Sequence, residues 1–188
     1  LKKLGTDIRV ENDTAYVDGT GADWPIKQEH LYIGASGTNG RFLPGALAAG
    51  EGNWKNEASK RMSERPIGTL IDALEEIGGN IKYLQKEGFF PIRIKGNGLK
   101  GGDVHISGKV SSQFISGLLI AAPYAANSVT VHVTDHIVQH AYVKITLDLM
   151  ERFGVKVEAD DALQTMRVSP AKYQGQNLQL EADASTTC

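Results

Sequence analysis

Apolar residues at Ile67, Leu70, Ile71, Leu74 and Ile77 recur every three or four positions, the spacing of one helix face. They predict a helix over 66–77, opened by Pro66 at the first helical position, where its missing N–H is not needed. The stretch "KVSSQFISGLLIAAP" (109–123) behaves differently. Its helix, predicted over 112–122, is apolar nearly all round and is expected to be buried. Two more helices are predicted over 39–49 and 141–153. Alternating and β-branched runs predict strands at 7–10, 14–17, 29–33, 81–84, 91–95, 103–107, 128–133, 155–158, 165–169 and 177–181.

The pattern repeats. "LKKLGTDIRVE", "LEEIGGNIKYL" and "MERFGVKVEAD" each read as a helix end, a glycine suited to the left-handed cap, and a short strand. Gly5, Gly78 and Gly154 lie 73 and 76 residues apart. "SGTNGRFLPGALAAG" (36–50) and "VSSQFISGLLIAAP" (110–123) both pass from small polar residues into an apolar helix, and their starts differ by 74. The unit reads strand, loop, apolar helix, strand, amphipathic helix, strand. At about 75 residues it is too long for a thin solenoid and suits a few packed α/β units. One complete period is expected, with part of a period on each side.

Composition narrows this picture. The chain has 188 residues, 41% of them hydrophobic, so it can bury a sizeable core. A net charge of −2 argues against nucleic acid as a partner. The only cysteine, Cys188, excludes a disulfide framework and fits a reducing compartment. No apolar run reaches the ~18 residues that span a bilayer, and no signal peptide is visible. The first residue is not Met, and Leu1 to Leu4 read as the last turn of a helix, so a fragment of a longer chain is expected.

Three predicted helix starts carry groups that bind anions. Ser111, Ser112 and Gln113 precede the buried helix. Serine there serves as an N-cap, or the free N–H groups and positive end of the helix dipole hold a phosphate. "ASGTNGR" (35–41) is a small turn that can form an anion nest, with Thr38 in it and Arg41 in the first helical turn, where a cation opposes the dipole. An ordinary surface arginine is the alternative. Arg65, just before Pro66, is either a solvated loop residue or a two-pronged ligand for carboxylate or phosphate. If the repeats share an axis, these starts converge on one anion.

Two other motifs carry little. "GNGLKG" (96–101) has the G-x-G-x-x-G pattern but is followed by strand-like "DVHIS", so a turn is expected rather than a dinucleotide site. His132, His136 and His140 are spaced by four, yet His132 sits in a predicted strand, so one helix face cannot hold all three and no metal is expected.

On "SERPIGTLIDAL", "KVSSQFISGLLIAAP", "ITLDLMERFGVKVE" and "EADAS", taken in order along nearly the whole chain, the sequence resembles the 5-enolpyruvylshikimate-3-phosphate synthase family. The resemblance implies an α/β fold of repeated βαβαββ units around a pseudo-threefold axis. Residues 1–180 would form most of one domain, with its N-terminal segment missing, and 181–188 the crossover to a second. It implies transfer of the enolpyruvyl group of phosphoenolpyruvate to the 5-hydroxyl of shikimate 3-phosphate, with release of phosphate. By position, Ser111, Ser112, Gln113, Gln139 and Tyr142 would hold shikimate 3-phosphate. Gly37, Thr38, Arg65 and Gln113 would face phosphoenolpyruvate and its competitor glyphosate, with Arg41 supporting the loop. The resemblance brings no cofactor, a second domain of the same chain as partner, a monomeric full-length state and a cytoplasmic location. It places the catalytic residues mainly in the second domain.

The chain departs from the family pattern at Ala35 and Asn39 in the first turn and at Gln139, where the family has serine. Two alternatives stand beside this reading. The related UDP-N-acetylglucosamine enolpyruvyl transferases generally carry a reactive first-domain cysteine, which is not found here, and "SERPIG" suits the shikimate branch. A non-catalytic phosphate-binding relative is the other.

Overall fold

Gly5, Gly78 and Gly154 all take the left-handed conformation expected of them, with φ of 88°, 96° and 84°. The computed structural model describes residues 1–180. The crossover expected over 181–188, with "EADAS" and Cys188, lies outside the described residues. Gly5 ends a 3-10 turn, Lys2–Leu4, and leads into a hairpin of β1 (Asp7–Glu11) and β2 (Thr14–Asp18).

Two complete βαβαββ units follow, one more than the sequence pattern suggested. The first contains β3 (Gln28–Tyr32), α1 (Gly37–Ala49), β4 (Glu51–Glu57), α3 (Gly68–Glu76), β5 (Ile81–Tyr83) and β6 (Ile92–Asn97), with a short α2 (Lys60–Ser63) before α3. The second contains β7 (Gly102–Ile106), α4 (Ser112–Ala121), β8 (Val129–Val133), α5 (His140–Arg152), β9 (Val157–Ala159) and β10 (Thr165–Val168). Their sheets run β3-β4-β6-β5 and β7-β8-β10-β9, the same order. In each, the first two strands are parallel, joined by the apolar helix, and the remaining pairings are antiparallel.

β4 carries little strand signal in its sequence, so the pattern alone leaves the first unit incomplete. "EGNWKNE" has one strand-type apolar residue, Trp54, yet it lies between β3 and β6 with Trp54 and Asn56 fully buried. Its pairing comes from neighbours rather than from its own composition. Neither amide atom of Asn56 has a partner among the described residues, so this strand carries an unpaired polar group. Conversely, the alternation at 177–180 makes no strand, because no described strand pairs with it; Leu180 is left exposed, and residue 181 is not described. Pro66 lies outside its helix: α3 starts at Gly68, with Ile67 at the cap tied by its N–H to the carbonyl of Gly88 (2.9 Å). "GNGLKG" is the turn from β6 to β7. His132 is on β8, His136 in a loop and His140 at the start of α5. Among the described residues no group of three or more His, Cys, Asp or Glu is placed to hold a metal, and no helix is long and apolar enough to cross a membrane.

The core sits between the sheets and is centred on α1 and α4. The expectation that the helix after Ser111 is buried is borne out: Phe114, Ile115, Leu118 and Leu119 are at most 1% exposed. α1 and α4 touch backbone to backbone. A Cβ on Gly117 would lie 2.2 Å from the carbonyl oxygen of Arg41, and one on Gly45 would lie 2.8 Å from that of Gly117. Arg41 and then Gly45 meet Gly117 and then Ala121, so the helices run the same way and start at the same end of the domain. Gly117→Ala is therefore expected to cost about 1–3 kcal/mol, read as a lower denaturant midpoint with unchanged slope.

Candidate anion-binding site

The site lies where α1, α4 and α5 begin. Ser36 caps α1, its Oγ accepting from the N–H of Asn39 (3.2 Å). One turn in, the Arg41 side chain folds back. Its Nη1 donates to the carbonyl of Gly37 (3.3 Å) and to Sδ of Met62 (3.2 Å), and its guanidinium lies 5.6 Å from the ring centre of Phe114. Arg41 is only 2% exposed, and its Nε has no partner among the described residues. Arg65 follows α2, its backbone N–H bonded to the carbonyl of Met62 (3.1 Å). Its Nη1 is 3.0 Å from where a Cβ on Gly37 would sit, so a side chain at 37 would push this guanidinium away.

Among the described residues, neither arginine forms an ion pair with a carboxylate. Burial, and secondarily the charge of Arg65, lower the Arg41 pKa from 12.5 to about 10. Arg41 therefore stays charged at neutral pH. Two cations held together, one of them buried, are arranged to receive an anion.

The second unit supplies the opposite wall. Ser111 caps α4, its Oγ accepting from the N–H of Gln113 (3.3 Å). Ser112 is 1% exposed, and Gln113 is half-buried. Gln139 opens α5 in the left-handed conformation (φ 58°, ψ 54°), with its carbonyl accepting from the N–H of Tyr142 (3.0 Å). A cavity of about 570 Å³ brings Arg41, Arg65, Ser111, Ser112, Gln113, Gln139 and Tyr142 together, closed on its sides by Pro66, Val110 and Phe114. Among the described residues no Asp, Glu, His or Lys lines it. Free N–H groups and the positive ends of α4 and α5 add to the two guanidinium charges, so its field favours an anion.

Seven of the residues singled out in the sequence thus share one cavity. Gly37 is not on its wall but lies against Arg65. Thr38 faces elsewhere. With Phe42, one turn on, it lines a neighbouring apolar groove of about 400 Å³, and Gln113 and Tyr142 line both spaces. Gly37 and Arg41 form one stripe of α1, and Thr38 and Phe42 the next. Phe114 and Met62, which hold Arg41, were not singled out, because an aromatic in an apolar helix and a methionine in a loop read as core.

The loops before α4 and α5 are joined. Asp135 accepts from the Ser107 hydroxyl (2.7 Å, Oδ2) and the Gly108 N–H (2.8 Å, Oδ1), and Lys109 Nζ lies 3.7 Å away. The Ser107 hydrogen bond is the first cause of a lowered carboxyl pKa there.

This chain belongs to the EPSP synthase family: that family's model, EPSP synthase (3-phosphoshikimate 1-carboxyvinyltransferase), matches residues 1–188. It is 56% identical to the 3-phosphoshikimate 1-carboxyvinyltransferase 2 of Halalkalibacterium halodurans, over 100% of this chain and 42% of that protein. It is 44% identical to the 3-phosphoshikimate 1-carboxyvinyltransferase of Shewanella sp. (strain MR-7), over 84% of this chain and 38% of that protein. The EPSP synthase structure from Acinetobacter baumannii superposes with a TM-score of 0.81 at 25% identity, covering 99% of this chain and 41% of that one. The chain thus spans about two fifths of the length of these relatives.

Proposed function

We propose that this chain is the shikimate-phosphate-binding part of a 3-phosphoshikimate 1-carboxyvinyltransferase, which moves the enolpyruvyl group of phosphoenolpyruvate to the 5-hydroxyl of shikimate 3-phosphate and releases phosphate. The observation that carries this reading is the cavity joining Arg41 and Arg65 to the start of α4, lined by no carboxylate of the described residues. Both substrates are anions with phosphate groups, and the cavity offers charge, hydroxyls and helix N-termini. In this reading Ser111 and Ser112 hold the 3-phosphate, Gln139 and Tyr142 border the shikimate, and Gln113 stands between the substrates. Arg65 takes the phosphoenolpyruvate, beside the turn at Gly37 and Thr38, and Arg41 keeps that turn in place. The reaction belongs in the cytoplasm, with a second domain of the same polypeptide closing over the substrates in a monomer.

Proton transfer at an alcohol and an enol ether needs a positioned general acid and base. Among the described residues no carboxylate, imidazole or amine lines the cavity, and in this reading those groups come from a second domain of the same polypeptide. The 188-residue chain alone is expected to show no turnover, while the full-length protein releases phosphate from the two substrates together. A phosphate-release assay on both proteins checks this. A full-length protein that binds shikimate 3-phosphate without turnover would instead be a non-catalytic binding relative.

A further inference from the structure

We infer that Asp135 is a positioning residue: its carboxylate joins the two loops that present the shikimate-phosphate half of the site. The inference rests on the function proposed above. β7 and β8 are parallel neighbours, so the loops leaving their ends emerge side by side. Ser107 directly follows β7, and Asp135 lies just beyond β8. Four residues after Ser107 comes Ser111, and four after Asp135 comes Gln139. The two carboxylate oxygens divide their work, one on the Ser107 hydroxyl and one on the Gly108 N–H. The Val138 N–H returns to the Gly108 carbonyl (3.1 Å), closing the link from the other side.

Charge argues that this group serves geometry. An exposed carboxylate near an anion site repels the ligand. Asp135 has a side chain only 17% exposed, with both oxygens occupied and Lys109 beside it, so much of its charge is answered locally. The first unit makes no such link. There the matching loops meet through backbone alone, the Ser59 N–H donating to the Gly34 carbonyl (2.9 Å), while the Ser59 side chain caps α2. The carboxylate link thus occurs in the unit whose loops carry Ser111, Ser112 and Gln139, and it leaves Arg41 and Arg65 untouched. Removing it should therefore affect one substrate and spare the other.

The test uses the full-length protein with Asp135→Ala and Asp135→Asn. In Asp135→Ala the Michaelis constant for shikimate 3-phosphate should rise about tenfold, while that for phosphoenolpyruvate stays within about twofold. Amide exchange at Gln113 and Phe114, whose N–H groups bond the Ser111 hydroxyl and carbonyl, should quicken, and exchange at Val131 in the sheet should not change. Asp135→Asn keeps one oxygen to accept from Gly108, so it should fall between wild type and alanine, and it carries the test if the alanine variant does not fold. A folded variant with an unchanged constant for shikimate 3-phosphate overturns the inference, as does a proportional rise in both constants. If the wild-type protein does not bind shikimate 3-phosphate, the proposed function falls. The exchange arm needs no substrate, and unchanged exchange at Gln113 and Phe114 then overturns the positioning role as well.

Discussion

Changing Ser111 and Ser112 together to alanine in the full-length protein will weaken shikimate 3-phosphate binding by roughly a hundredfold or more, and shikimate binding hardly at all. A hydrogen bond to a charged phosphate contributes about 1.5–3 kcal/mol, or about tenfold to a hundredfold per serine. The two serines are not equivalent. Ser111 also caps α4 through the Gln113 N–H, so its loss should cost about 0.5–2 kcal/mol of stability as well. Ser112 is the first residue of the helix and has no part in the cap, yet it is buried against the cavity. Ser112→Ala alone should therefore lose affinity with little change in melting temperature. Calorimetry with shikimate 3-phosphate and with shikimate separates the roles. If the double variant still favours the phosphorylated ligand by the wild-type margin, both serines only shape the helix.

Arg65→Lys should raise the Michaelis constant for phosphoenolpyruvate by about tenfold to a hundredfold, with a much smaller change for shikimate 3-phosphate. Lysine keeps the charge but loses the planar fork that grips carboxylate or phosphate at two points. Arg65 is the guanidinium available for this. Arg41 is buried and spends Nη1 on the Gly37 carbonyl and the Met62 sulfur, whereas Arg65 is exposed and its side chain donates to no described residue. Steady-state kinetics with each substrate varied in turn measures the split. Equal changes in both constants would place Arg65 outside the phosphoenolpyruvate half.

Much of this arrangement was legible in the chain because the chemistry lies at helix starts, which small polar residues before apolar runs announce. The three glycines, the buried character of α4 and the positions of Arg65 and Ser111 to Gln113 could all be read that way. The second complete unit could not, since β4 is a polar run given its place by β3 and β6. The side of α1 that Thr38 faces could not be read either, because it depends on how α1 rotates against α4 around Gly45 and Gly117. The link through Asp135 joins residues 28 apart in sequence, from loops with no periodic signal.

The pairing of Arg41 with Arg65 reaches beyond binding. Arg41 keeps its charge at neutral pH and lies against the Arg65 guanidinium, so the folded domain carries a repulsion of its own. An anion that fills the cavity relieves it, and any ligand of the folded state protects that state by mass action, about 2.7 kcal/mol at a hundredfold excess over its dissociation constant. Withdrawing that anion is expected to let the polypeptide open more often and meet proteases more often, which limited proteolysis with and without inorganic phosphate would measure.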